Sequence, residues 1–157
     1  MPTELLFDLN DIDLGQISVT AEEIGRLNPQ CGDMRHLDHV IWCDDANTMA
    51  LGVKEVRPDE FWVPGHIPGR PLLPGVLMIE AAAQLSSVLY KLKTREDRFL
   101  GFTRCDDVAF RGQVQPGDRL YLLVREISFK ARRFVSASQG LVNGKLVFEA
   151  KITGMVI

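Results

Sequence analysis

This 157-residue sequence predicts an α+β domain, with a long central apolar helix wrapped by a curved antiparallel β-sheet. Three observations lead there. The run Leu72–Tyr90 is apolar and long enough for about five helical turns. Around it lie segments with the β-branched and aromatic texture of strands, broken by turn signals. Asn143-Gly144, between two such segments, is the strongest hairpin signal in the chain and makes its neighbours antiparallel. A helix among long antiparallel strands is best buried when the sheet curves round it. Such a sheet leaves edges that pairing between two copies can cover.

The elements follow in order. Thr20 with Glu23 three residues later has the form of a capping box, and Asn28-Pro29 closes the short helix it begins. From Asp38 the texture turns to strand: DHVIWCDD, then TMALGVKEVR, with Asp44–Asn47 as the turn between them. A proline-glycine loop then leads into the apolar helix, from Pro74 or Gly75 to Leu92, with Pro74 suited to the first helical position. After the charged break KTREDR come FLGFTRCDDVAF, RLYLLVREISFK, RFVSASQGLV and KLVFEAKITG, all strand-like. Pro116-Gly117-Asp118 is one of the turns between them.

Residues 1–157 suit one domain, long enough to bury a core without disulfides or metals. A net charge of −3 argues against broad nucleic-acid binding. The acidic start has no basic segment before an apolar one, and three cysteines form no framework, so reduced thiols in a cytoplasm are expected. Leu72–Tyr90 has the length of a membrane span, but Pro74, Gly75, Glu80, Gln84, Ser86 and Ser87 fit a helix buried in protein. Cys31, His36, His39 and Cys43 could be read as a zinc set. Their spacing is irregular, and His36 and His39 would face opposite sides of a strand, so neither metal nor cofactor is expected.

The chemistry-bearing stretch is GHIPGRPLLPGVLMIEAAAQ, Gly65–Gln84. His66 lies in a loop stiffened by Pro64, Pro68, Pro71 and Pro74. Between Arg70 and Lys91 the only formally charged side chain is Glu80. The helix start at Gly75 offers free N–H groups and a positive dipole end, suited to a developing oxyanion. An imidazole, an anion-binding helix start and a carboxyl group form an acid–base set. The same residues also suit a packed loop histidine and a glutamate paired with an arginine. Spacing leaves both readings open.

The stretch closely resembles the active-site segment of the β-hydroxyacyl-acyl carrier protein dehydratases of the FabZ type. His66, Pro68, Gly69, Pro71, Pro74, Gly75, Val76, Leu77, Glu80, Ala81, Ala83 and Gln84 match that family in register. LDHV at Leu37–Val40, FRGQVQPGD at Phe110–Asp118 and VNGKLVFEAKI extend the match from Leu37 to Ile152, leaving residues 1–30 as a divergent N-terminal segment. Ile67 stands where the family has phenylalanine, Gln113 where it has proline, and its Pro-His-Arg-Tyr-Pro-Phe segment is replaced after Pro29 by QCGDMRH.

The resemblance implies a hot-dog fold, dimers that can assemble as trimers of dimers, and removal of water from (3R)-3-hydroxyacyl chains on acyl carrier protein. By position, His66 would take the α-proton, the Gly75 N–H would bind the thioester oxygen, and Glu80 from the other subunit would protonate the departing hydroxyl. Ile67 and Val76 would line the substrate pocket. Arg70, Arg104, Arg111, Lys130, Arg132 and Arg133 are candidates to dock the acidic carrier, although such charges are usually a solvated face. The alternatives are a hot-dog thioesterase or enoyl hydratase acting on acyl-CoA, and a non-catalytic acyl-binding dimer.

Overall fold

The computed structural model describes residues 4–157. Its elements are α1 (Ala21–Leu27), a 3₁₀ turn (Gly32–Met34), β1 (His39–Cys43), β2 (Met49–Glu55), α2 (Gly75–Thr94), β3 (Leu100–Phe110), β4 (Arg119–Lys130), β5 (Arg133–Val142) and β6 (Lys145–Val156). The six strands form one antiparallel sheet in the order β1-β2-β4-β5-β6-β3, curved about α2 as expected.

Local chemistry explains the boundaries. Thr20 Oγ1 accepts from Glu23 N at 3.2 Å, so the N-cap forms. Asp44 shapes the β1–β2 turn by accepting from Thr48 N and Met49 N at 2.7 and 2.8 Å. Asn143 and Gly144 both take positive φ, 51° and 75°, the geometry that lets a two-residue turn match strand twist. Pro74 is the N-cap rather than the first helical residue, and Gly75 begins the helix. Pro74 accordingly keeps an extended ψ of 131°, which passes the chain from loop to helix. The helix continues past Leu92 to Thr94, where Arg95 in the left-handed region returns its N–H to Lys91 O.

Twenty residues make α2 about 30 Å long. Its buried residues Met78, Ala81, Ala82, Leu85 and Val88 join Leu120, Leu122, Val124, Phe148 and Ile152 from the sheet in the main core. A second apolar cluster lies on the sheet's other face. There Ile41, Leu51, Val53, Leu123 and Leu141 are covered by Leu6, Phe7, Leu9 and Ile12 of the N-terminal strap. Gln139 clasps that strap, its Oε1 accepting from Leu6 N and its Nε2 donating to Glu4 O, both at 2.9 Å.

The two sheet edges differ. The β1 edge is partly closed by the Val19–Val40 bridge. The β3 edge has no strand beside it among the described residues, and Phe99, Phe102, Val108 and Phe110 on or next to it stand exposed.

Candidate active site

The loop before α2 is built to hold His66. His66 N donates to Trp62 O and Leu72 N donates to His66 O, both at 2.8 Å, so the histidine backbone is pinned on both sides. Its Nδ1 lies 2.7 Å from Leu72 O. A carbonyl only accepts, so Nδ1 carries the proton, and in the neutral ring the lone pair falls on Nε2 of an exposed side chain. Arg70 donates to Gln113 Oε1 at 3.0 Å, tying the loop's far end to the β3–β4 connection. The residue that replaces the family's proline therefore braces the histidine loop.

Gly75 is glycine for a steric reason. A Cβ there would lie 2.7 Å from the Phe110 ring, closer than real side-chain contacts. Pro74 gives no side-chain cap, and the Gly75 N–H has no backbone acceptor among the described residues. It remains a free donor at the positive end of the helix.

Among the described residues Glu80 pairs with no arginine. Its Oε1 accepts from Gln84 Nε2 at 2.9 Å, and the same amide nitrogen donates to Met34 O at 2.7 Å. Gln84 Oε1 accepts from His36 N at 2.9 Å, so the amide is fixed at both ends. Sequence reasoning carried Gln84 only as part of a matching motif. Its role as the clamp on Glu80 depends on the 3₁₀ turn around Met34, which no periodicity announced. Glu80 opens onto a groove between α2 and the sheet, walled by Leu100, Phe102, Phe134 and Ile152.

The remaining candidates fall into place separately. Ile67 and Val76 are exposed, at 49% and 66%, beside His66 and Gly75 in the chain. Arg104 and Arg111 are held by Asp106 and Glu149. Lys130, Arg132 and Arg133 stand exposed around the β4–β5 turn with no ion pair among the described residues. Among those residues no three His, Cys, Asp or Glu side chains gather as a metal set. His36 is buried, with no hydrogen-bond partner among the described residues on either ring nitrogen, and Cys31 is exposed. Burial, then Asp44, pushes the Cys43 thiol up to about 11, which leaves it a poor nucleophile.

Unnoticed in the sequence was a buried ion pair below the loop. Lys54 Nζ lies 2.7 Å from Glu60 Oε1, with side chains only 2% and 5% exposed. Burial raises the Glu60 carboxyl, but the hydrogen bonds from Lys54 and Arg57 N outweigh it and hold the pKa below its usual value. The pair anchors the start of the segment that carries Trp62 and His66. A lone lysine late in an apolar strand was its only sequence signal.

A six-stranded antiparallel sheet curved around one long helix defines a hot-dog fold. The same fold is found in the dehydratase heterocomplex ApeI:P from Xenorhabdus doucetiae, at a TM-score of 0.73 and 17% identity over 85% of this chain and 90% of that one. A mutant thioesterase from Pseudomonas aeruginosa shares it at 0.66 and 17%, over 92% and 99%. The family model for the FabA-like domain matches residues 28–151. The chain belongs to that family. The 3-hydroxyacyl-[acyl-carrier-protein] dehydratase FabZ of Sinorhizobium fredii (strain NBRC 101917 / NGR234) is 34% identical over 87% of this chain and 88% of its own. That of Anoxybacillus flavithermus (strain DSM 21510 / WK1) is 33% identical over 83% and 92%.

Proposed function

We propose that this chain dehydrates (3R)-3-hydroxyacyl chains on acyl carrier protein to trans-2-enoyl chains, as a homodimer whose sites each draw on two protomers. The observation that carries this reading is the His66 tautomer, with Nδ1–H spent on Leu72 O and Nε2 free. His66 Nε2 takes the proton α to the thioester. The Gly75 N–H and the helix dipole hold the enolate oxygen. The C3–O bond then breaks, and the Glu80 carboxyl delivers its proton to the leaving hydroxide, giving water. Return of the imidazolium proton to Glu80 through solvent resets the pair.

Glu80 is five residues after Gly75, which turns it about 140° around the helix and away from the Gly75 side. Its groove is walled by Leu100, Gly101 and Phe102 at the start of β3, while Gly75 rests on Phe110 at that strand's end. Antiparallel pairing of two free β3 edges about a two-fold brings one strand's end beside the other's start. That arrangement favours His66 and Gly75 of one protomer meeting Glu80 of its partner. The unpaired cations Lys130, Arg132 and Arg133 suit an acidic carrier. They sit by β6's end, where Val156 N donates to Arg132 O, close to the groove's Phe134.

The test is to unfold and refold His66→Ala and Glu80→Gln proteins together in equal amounts. Each is inactive alone. Random pairing gives about half heterodimers, each with one intact site, so the mixture should recover about a quarter of wild-type dehydration. No recovery, with heterodimers confirmed by mass, would sink the shared site. A wild-type protein that hydrolyses acyl-CoA and leaves hydroxyacyl carrier thioesters untouched would favour the thioesterase alternative.

A further inference from the structure

The groove at Glu80 has a closed end. One wall is the α2 stripe of Glu80, Ala83, Gln84 and Ser87, and the apolar wall opposite carries Leu100, Phe102, Phe134 and Ile152. The groove stops at Lys91, about 16 Å from Glu80 along the helix axis. Lys91 also lines two openings beside α1, one with Leu92 and Arg95, the other with Arg98 and Phe99, and Asp97 borders both. One side chain therefore stands between the groove and those openings.

Three contacts hold that end shut. The Lys91 ammonium donates to Leu27 O at the end of α1, and the Asp97 carboxylate supports its charge from the outer side. Asn28 Nδ2 donates to Gln84 O at 2.9 Å, and Ser87 Oγ donates to Asn28 Oδ1 at 2.8 Å. The ammonium is thus engaged, and Lys91 is only 6% exposed, so its methylene stem is buried with it. Capping α1 needs the ammonium alone, which a stem lying over the surface delivers equally well. The buried stem does something more: it fills the passage.

We propose that Lys91 is the end wall of the acyl groove and sets the longest 3-hydroxyacyl chain that the site accepts. This rests on the dehydratase reading, which sets C3 at Glu80 and sends the carbons beyond it along the groove. A methyl end that reaches Lys91 can advance only by driving the ammonium off Leu27 O, which strands a buried charge. Carbon atoms keep about 3.5–4 Å from each wall, and bonds of about 1.5 Å run in zigzag. A length of about 16 Å then holds roughly ten carbons beyond C3 at most.

The experiment measures kcat/KM for straight-chain 3-hydroxyacyl carrier thioesters of stepwise increasing length. For wild-type protein it should rise with length, by up to about fourfold per buried methylene. It should then fall about tenfold or more once the chain passes the limit. Lys91→Ala joins the groove to the openings beside α1, so its fall should come about two carbons later or more. Should Lys91→Ala lose its fold with the α1 cap, Lys91→Met is read instead, and its freed, flexible stem should shift the fall in the same direction. A wild-type profile with no fall, or a fall at the same length in the folded variant, overturns the assignment. If wild-type protein dehydrates none of the series, the dehydratase reading fails. Calorimetric binding of the same thioesters to wild type and variant then judges Lys91 separately: a length step that moves with the variant supports the end wall, and its absence overturns it.

Discussion

Burial, reinforced by the Lys54 ammonium, lowers the His36 pKa from 6.5 to about 4. Below the usual histidine range the unfolded chain therefore takes up a proton that the folded chain refuses. Stability should fall as pH drops through 6.5 and level off near 4, a loss of about 2 kcal/mol between neutrality and about pH 5. Urea unfolding of wild type and His36→Leu at those two pH values checks this, and the variant should lose most of the difference. A wild-type curve as flat as the variant's would contradict it. Neither this histidine nor the Lys54–Glu60 pair was legible as buried in the sequence. Which polar side chains a core accepts depends on neighbours distant in sequence, here the Gln84 amide that fixes the His36 backbone. His66 and Glu80 were legible because the proline-glycine loop and the uncharged helix around them are local patterns.

For elements, the junction of α2 with β3 is an exacting contact. Gly75→Ala would push the Phe110 ring from 2.7 Å, and the ring, half exposed, can swing outward. The fold should survive with a small change in Tm, while turnover falls by about tenfold or more because the N–H loses its aim. Adding Phe110→Ala removes the clash and should restore much of the loss. If the double variant is no faster than Gly75→Ala alone, the contact does not position the donor. Strands β4 to β6 were readable in the sequence almost residue by residue, since alternation and the Asn143-Gly144 turn fix both ends. Of the two helix starts the sequence left open, Pro74 or Gly75, the structure takes Gly75 and makes Pro74 the cap. The 3₁₀ turn at Gly32–Met34 left no pattern, being held by Gln84 from another element.

At the scale of the whole molecule, the strap on the outer sheet face replaces solvent over a cluster that would otherwise lie bare. Deleting residues 1–12 should expose Leu123, Leu141, Tyr121 and Leu146, and the shortened chain should associate beyond the mass of the full-chain assembly as concentration rises. Light scattering across a concentration series checks it, and an unchanged mass would show that the strap is dispensable as a cover. The strap's path was not legible, because its acidic, irregular sequence lacks any period and its partners come from four strands. Gln139 lies 133 positions after Leu6 and 135 after Glu4. The strap is therefore made well before the side chain that clasps it. At elongation rates of about 5–20 residues per second it waits on the order of 10 s. Through that interval Leu6, Phe7, Leu9 and Ile12 travel uncovered on a nascent chain. The interleaved Asp8, Asp11 and Asp13, exposed in the finished protein, keep that segment hydrated until its seat exists.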